Sequence, residues 1–205
     1  RGQKRALLEM AHDNAKLKLD EKFRLLELGN RKTKGAQKEI FDALGLPYGH
    51  RIESFDHSHI QGADPVSALV VFTDGEPDKH EYRKYKLKGE VEHQNAADEV
   101  GNTRAVVRRR YSRLLKEHKK MPDLILMDGG QIQVDACLDV LRNELNVNIP
   151  VAGMVKDDHH RTNHLIFGDP TQGEELKLIP LNPKSEGFYL MTRIQDEVHR
   201  FAITF

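Results

Sequence analysis

The sequence predicts an α/β fold in which a mixed sheet is flanked by helices and preceded by a helical lead-in. Three observations predict it. VSALVVFTDG (66–75) is apolar on both faces, as a central strand requires. PDLILMDGG (122–130) sets four apolar residues in a row and then stops on an aspartate and two glycines. Segments 96–119, 131–145 and 186 onward carry apolar residues at helical spacing.

Residues 3–29 are charged and rich in helix formers, with Leu7, Ala11, Ala15, Leu19 and Phe23 four apart. NRKTKG (30–35) breaks the pattern, and a shorter helix over 36–44 turns Ile40 and Leu44 inward before GLPYG (45–49) ends it. Residues 1–49 are read as a helical lead-in or linker docked on a domain spanning 50–205. That domain opens on a short strand, Ile52 to Asp56, followed by the central strand. DGEPDK then reads as a hairpin loop and HEYRKYKLK (80–88) as the return strand. In the long helix 96–119, Val100, Thr103, Val107, Tyr111 and Leu114 form the inward stripe. Strand 123–128 follows, then a helix with Val134, Leu138, Leu141 and Leu145 inward, then strand IPVAGMV (149–155). LIFG and LKLIP read as short extended pieces. The last helix carries Met191, Ile194, Val198 and Phe201 on one side. The order β-β-β-α-β-α-β with a closing helix is the outline of a ribonuclease H-like domain.

Composition narrows the function. Lys+Arg and Asp+Glu number 32 each, so the formal net charge is zero and any nucleic-acid binding must rest on local basic patches and metals. The single cysteine, Cys137, excludes an intramolecular disulfide framework and a Cys-rich zinc cluster. No apolar run approaches the ~18–20 residues that span a bilayer, and no signal peptide is visible, which points to a cytoplasmic protein with no membrane partner. A chain that opens RGQK and stops at FAITF inside a helical pattern reads as a piece of something longer.

Asp56 closes the first strand and Asp128 closes the strand LILM. Strand ends on one sheet edge are where ligands bind in open α/β sheets. Two carboxylates there could share Mg²⁺ or Mn²⁺, hard cations that take oxygen ligands, as in metal-assisted phosphodiester hydrolysis. Gly129 and Gly130 would let a substrate backbone approach and permit unusual dihedrals, and the helix from Gln131 would offer free N–H groups to a phosphate. The alternative for DGG is a plain strand-to-helix turn with Asp128 as its cap.

Eleven histidines raise the question of zinc, but DHSH (56–59) and DDHHRTNH (157–164) lack the spacings of structural sites, and HEYRK is not HExxH. His199 is different. It flanks the apolar stripe of the last helix on the side of Gln195. It is either a core histidine satisfied by Asp196 or a group reaching an active-site edge.

FDHSHIQG (55–62), VVFTDGEP (70–77), YRKYKLKG (82–89), VVRRRYSRLL (106–115), PDLILMDGGQIQ (122–133), KDDHHRT (156–162) and RIQDEVHRFAITF (193–205) together resemble the bacterial UvrC family, the nuclease subunit of the UvrABC excision repair system. The resemblance covers about 3–205 and implies its C-terminal ribonuclease H-like endonuclease domain, which cuts on the 5′ side of a DNA lesion. It implies metal ligation and catalysis by Asp56 and Asp128, with His199 as third catalytic residue or metal ligand. A further acidic ligand would be Asp98 or Glu99. Implied partners are damaged double-stranded DNA and, in the longer protein, UvrB; a scaffold that only docks UvrB or DNA is the alternative, and a relative acting on RNA hybrids a third. His57 stands where the family usually has an apolar residue, Met127 replaces a common Ile, and Gln195 removes a possible phosphate-contacting charge. The family's first nuclease domain, its UvrB-contacting segment and its helix-hairpin-helix pair are not in this stretch. The chain is therefore expected to hold the chemistry with little DNA affinity, and to be monomeric. Phosphate contacts are expected from Arg108, Arg109, Arg110, Gln131, Lys156 and Arg161. The bland reading of the arginine run is a solvated helix face.

Overall fold

The computed structural model describes residues 1–58, 64–87, 98–157, 159 and 162–204. Two helices come first, α1 (Gly2–Lys32) and α2 (Lys34–Ala43). The sheet begins with β1 (Arg51–Ser58), β2 (Val66–Thr73), β3 (Glu76–Pro77) and β4 (Arg83–Lys86). Next come α3 (Glu99–Lys116), β5 (Leu124–Met127) and α4 (Gln131–Asp139), whose last turn widens into a π-helical segment over Val140–Glu144. The chain ends with β6 (Val151–Lys156), β7 (Thr162–Asp169), β8 (Glu174–Pro180) and α5 (Glu186–Ile203).

The strands lie in the order β3-β2-β1-β5-β6-β7-β8, with β4 also paired to β2. Among the described residues only the β1–β5 and β5–β6 pairs are parallel. That explains the LILM run: β5 is paired on both sides and covered on both faces, so all four residues are buried. The pieces LIFG and LKLIP are more than short extensions. They form the antiparallel pair β7–β8, which lengthens the sheet beyond β6.

Helices cover both faces, and β1 shows how the alternation is used. Phe55 meets Tyr111 of α3 edge-on, with ring centroids 6.1 Å apart. Glu53 and His57, on the same side, also reach α3. Asp56 points the other way, toward α5. Period two therefore gives one face of β1 to α3 and the other to α5.

The lead-in divides into two unlike halves. Among its residues α1 buries none, whereas α2 buries Ala36, Gln37, Ile40 and Phe41 against the core. Gln37 pins α2 to the sheet: its Nε2 donates to Gly49 O at 2.7 Å, and its Oε1 accepts from Gly75 N at 2.7 Å. Gly75 turns the β2–β3 hairpin at φ +80°, and a Cβ there would lie 2.2 Å from Thr33 O, so no other residue fits. α5 starts at Ser185, whose Oγ accepts from Phe188 N, and it buries Leu190, Met191, Ile194, Val198 and Ala202 in one stripe.

The arginine run on α3 does not behave as one solvated face. Arg110 is buried, and its Nη2 lies 3.1 Å from Glu53 Oε2 on β1. Glu53 is fully buried and also accepts from Tyr111 Oη at 2.8 Å and Arg51 Nε at 2.9 Å. Burial, reinforced by the adjacent carboxylate, holds the Tyr111 phenol well above its ordinary pKa, so it remains a donor. Three donors on one carboxylate make burying that charge tolerable. Arg110 is thus not the phosphate contact its place in the run suggests: its guanidinium is spent inside the protein.

Truncating Arg110 would leave Glu53 with Arg51 as its one cationic partner among the described residues. Arg110→Met is expected to lower stability by about 3 kcal/mol, the low end for breaking a buried pair. Glu53→Leu combined with Arg110→Met should recover much of that loss. Chemical denaturation checks both; a single variant with an unchanged midpoint would refute the assignment.

Candidate metal centre

The register of two parallel strands brings the acids together. Phe55 of β1 is the partner of Met127 of β5, so Asp56 and Asp128 follow side by side on neighbouring strands. Such strands lie about 4.8 Å apart. α5 crosses the same edge and delivers His199 between them. Its Nδ1 lies 2.5 Å from Asp56 Oδ2, and its Nε2 lies 3.1 Å from Asp128 Oδ2. One ligand atom from each of the three residues falls within 4.8 Å of the others, and among the described residues no other His, Cys, Asp and Glu group of three converges this way. His199 is therefore not a core histidine satisfied by Asp196; both of its ring nitrogens face the acids.

The carboxylates differ in exposure. The Asp128 side chain is only 5% exposed and that of Asp56 18%, so the pair carries negative charge largely out of water. Three groups answer it: the His199 ring, the Lys156 ammonium 3.8 Å from Asp128 Oδ1, and Gln195, whose Nε2 donates to the same oxygen at 2.9 Å. Gln195 does not stand where a phosphate-contacting charge is missing. It is buried and turned inward to orient Asp128. Sequence reading placed Gln195 on the side of His199 but assigned it no partner; helical spacing gives the face of a residue, not what the next strand puts opposite it.

These groups line a cavity of about 920 Å³ at the strand ends, with Glu99, Gln133 and Met154 on its walls. Of the two candidate further acids, Glu99 faces the cavity and accepts from Gln133 Nε2 at 2.9 Å. Asp98 instead caps α3, accepting from Gly101 N at 2.9 Å. Asp128 does not cap α4: the N-cap is Gly130, with no side-chain cap bond. Neither Gly129 nor Gly130 adopts a positive φ. The close approach is between backbones, since a Cβ on Gly153 of β6 would lie 2.4 Å from Gly129 O.

The remaining predicted contacts scatter. Lys156 lines the cavity. Gln131 is the exposed first residue of α4 but not part of the cavity wall. Arg108 is held by Glu144 at 2.6 Å, and Arg109 donates to Lys86 O and stacks over Tyr85; neither reaches the cavity. Arg161 lies outside the described residues. His57 uses both ring nitrogens, on Ser67 Oγ at 2.6 Å and Thr103 Oγ1 at 3.0 Å, and so ties β1 to β2 and α3.

The donor set suits a hard divalent cation. Two carboxylates and an imidazole offer mostly oxygen ligands with room for water, as Mg²⁺ or Mn²⁺ prefer, and a cation would balance the charge that His199 now balances. Without one, the hydrogen bond to Asp56 raises the His199 pKa above its ordinary 6.5, aided by the charges of Asp56 and Asp128 and opposed by burial. A raised folded value means the protonated ring stabilises the fold fully below about 6.5. That contribution disappears as pH rises through the folded pKa. In metal-free protein, NMR titration should find the His199 midpoint above 6.5, and Asp56→Asn should lower it. A midpoint at or below 6.5 would contradict the bridging geometry.

Comparison with known proteins bears on this geometry. Residues 41–203 match the family model described as the UvrC RNAse H endonuclease domain. Over its whole length the chain is 97% identical to the UvrABC system protein C of Lactobacillus johnsonii and 68% identical to that of Limosilactobacillus reuteri. It covers 34% and 33% of those proteins, so it spans about a third of the length of the curated relatives it matches. Among solved structures, endonuclease V of Ciona intestinalis in complex with DNA matches 80% of this chain and 79% of its own at TM-score 0.41 and 16% identity, too loose a likeness to build on.

Proposed function

The chain belongs to the UvrC family as its ribonuclease H endonuclease domain, and on that premise we propose that it hydrolyses a DNA phosphodiester with a divalent cation held by Asp56, Asp128 and His199. The carrying observation is the bridge of His199 across two acids, one near the end of β1 and one just past β5, 2.5 and 3.1 Å away. The cut proposed is the one 5′ to a lesion in damaged duplex DNA, made by the longer protein together with UvrB in the cytoplasm.

Mg²⁺ or Mn²⁺, when bound, would supply Lewis acidity toward the scissile phosphate and a nucleophile available at neutral pH. The chain's own residues do the rest. Sheet register sets Asp56 and Asp128 side by side, so much of the ligand geometry exists before any substrate arrives. Gln195 holds Asp128 Oδ1 and directs its other oxygen into the cavity. His199 engages both acids through its two ring nitrogens, so it would accept or release a proton at whichever nitrogen is drawn off its carboxylate when a cation binds. Lys156 places positive charge on the cavity wall, where phosphate charge develops. Glu99 faces the same space and is the proposed further acid. Gln131 on α4, with Arg108, Arg109 and Arg161, remains a proposed phosphate contact of the positioning kind. The lead-in, residues 1–49, is proposed as the linker to the rest of the protein.

Asp128→Ala should abolish 5′ incision by the full-length protein while folding and 3′ incision survive; normal 5′ cutting would end this reading. Gln195→Ala, which keeps all three ligands, should weaken Mn²⁺ binding roughly 10–100-fold. Calorimetric titration of Mn²⁺ reads that loss, and unchanged affinity would remove Gln195 from the centre.

A further inference from the structure

A second cavity lies away from the metal centre, between β4 and the C-terminal half of α3. It has a volume of about 440 Å³, and eight of its twelve lining residues are Arg or Lys against two acids; Arg51 and Arg110 are spent on the buried Glu53, which leaves six. In a chain of zero formal net charge that is a strong local concentration. Its cations include Arg83, Lys84, Arg109, Arg113, Lys119 and Lys120. The acids are already engaged, Glu117 with Arg113 at 2.9 Å and Lys119 at 3.1 Å, and Glu81 with Arg51 at 3.6 Å. Positive charge therefore exceeds what the groove's own acids balance. The floor is rigid, because Arg110 and Tyr111 anchor this part of α3 to the buried Glu53. Tyr85 adds a flat ring beneath Arg109.

We propose that this groove binds the sugar-phosphate backbone of duplex DNA several base pairs from the scissile bond, a role that rests on the hydrolytic reading above. Geometry supports the spacing. α3 begins at Glu99, on the wall of the metal cavity, and reaches the groove at Arg109 and Arg113. At about 1.5 Å per residue those positions lie roughly 15–21 Å along the helix. That span corresponds to about 4–6 base pairs at ~3.4 Å each. A duplex lying along α3 would present one phosphate to the metal and a nearby stretch of backbone to the groove. The side chains are flexible ammonium and guanidinium groups on an open surface, which suits phosphate positioning and not base reading.

The test is DNA binding by the full-length protein carrying Arg113→Gln, Lys119→Gln and Lys120→Gln, measured in EDTA across a salt series so that cleavage plays no part. The control carries Lys16→Gln, Lys177→Gln and Lys184→Gln, an equal charge change elsewhere. The groove variant should lose roughly 100-fold in affinity near 0.1 M salt, with a log–log salt slope shallower by about 2–3, while the control changes little. Two trimmed duplexes, each ending three base pairs from the cut on one side, complete the test. The difference between groove variant and wild type should vanish on one of them only. Equal slopes for wild type and groove variant would overturn the proposal. So would a loss that persists on both trimmed duplexes, or normal DNA binding with lost binding of an acidic protein partner. A wild type that binds DNA but fails to cleave it with Mn²⁺ would instead sink the hydrolytic reading and leave the groove standing.

Discussion

Two carboxylates with little access to water, one residue past the register pair Phe55–Met127, set the constraint around which this domain is built. Like charges that close repel strongly wherever water is excluded. The fold answers with positive charge and hydrogen-bond donors from three separate elements: His199 and Gln195 from α5, and Lys156 from the end of β6. Each element must arrive at one strand edge for the acids to be tolerated there. That concentration of charge is what suits the site to the divalent cation proposed for it.

Much of the remaining structure serves that arrival. α5 is placed by its Ser185 cap and buried stripe, and α2 packs against it, with Glu39 Oε2 accepting from Gly187 N at 2.7 Å while Gln37 ties α2 to the chain before β1 and the turn after β2. On the opposite face the Glu53–Arg110–Tyr111 cluster fixes α3 to β1, and with α3 come Glu99 and, through it, Gln133. β1 therefore holds two charged centres back to back. One is satisfied within the protein and carries structure; the other keeps an open cavity and carries the proposed chemistry.

The strand-end acids were legible because apolar runs announce buried strands and a carboxylate at their end is costly without a reason. The strand–helix order implied a mixed sheet with ligands at one edge; the parallel β1–β5 pairing itself appeared only with the structure. His199 was half legible: helical spacing put it beside the stripe, and only the family resemblance raised it above a core histidine. The fates of Arg108, Arg109 and Arg110 were not legible, because three adjacent arginines point in three directions and the partner of each lies 23 to 57 residues away. The same limit hid the partners of Gln195 and Gln37. Side-chain pairing across elements depends on register, and register appears only once the sheet is assembled.

The central claim is that Asp56, Asp128 and His199 close on one divalent cation. Anomalous diffraction from crystals soaked in Mn²⁺ tests it most directly. The account predicts a manganese peak within ligand distance of an oxygen of each aspartate and a nitrogen of His199, with the ring drawn off at least one of its carboxylate contacts. Manganese bound elsewhere, or crystals saturated with Mn²⁺ in which His199 still spans both acids and no peak lies between them, would contradict it.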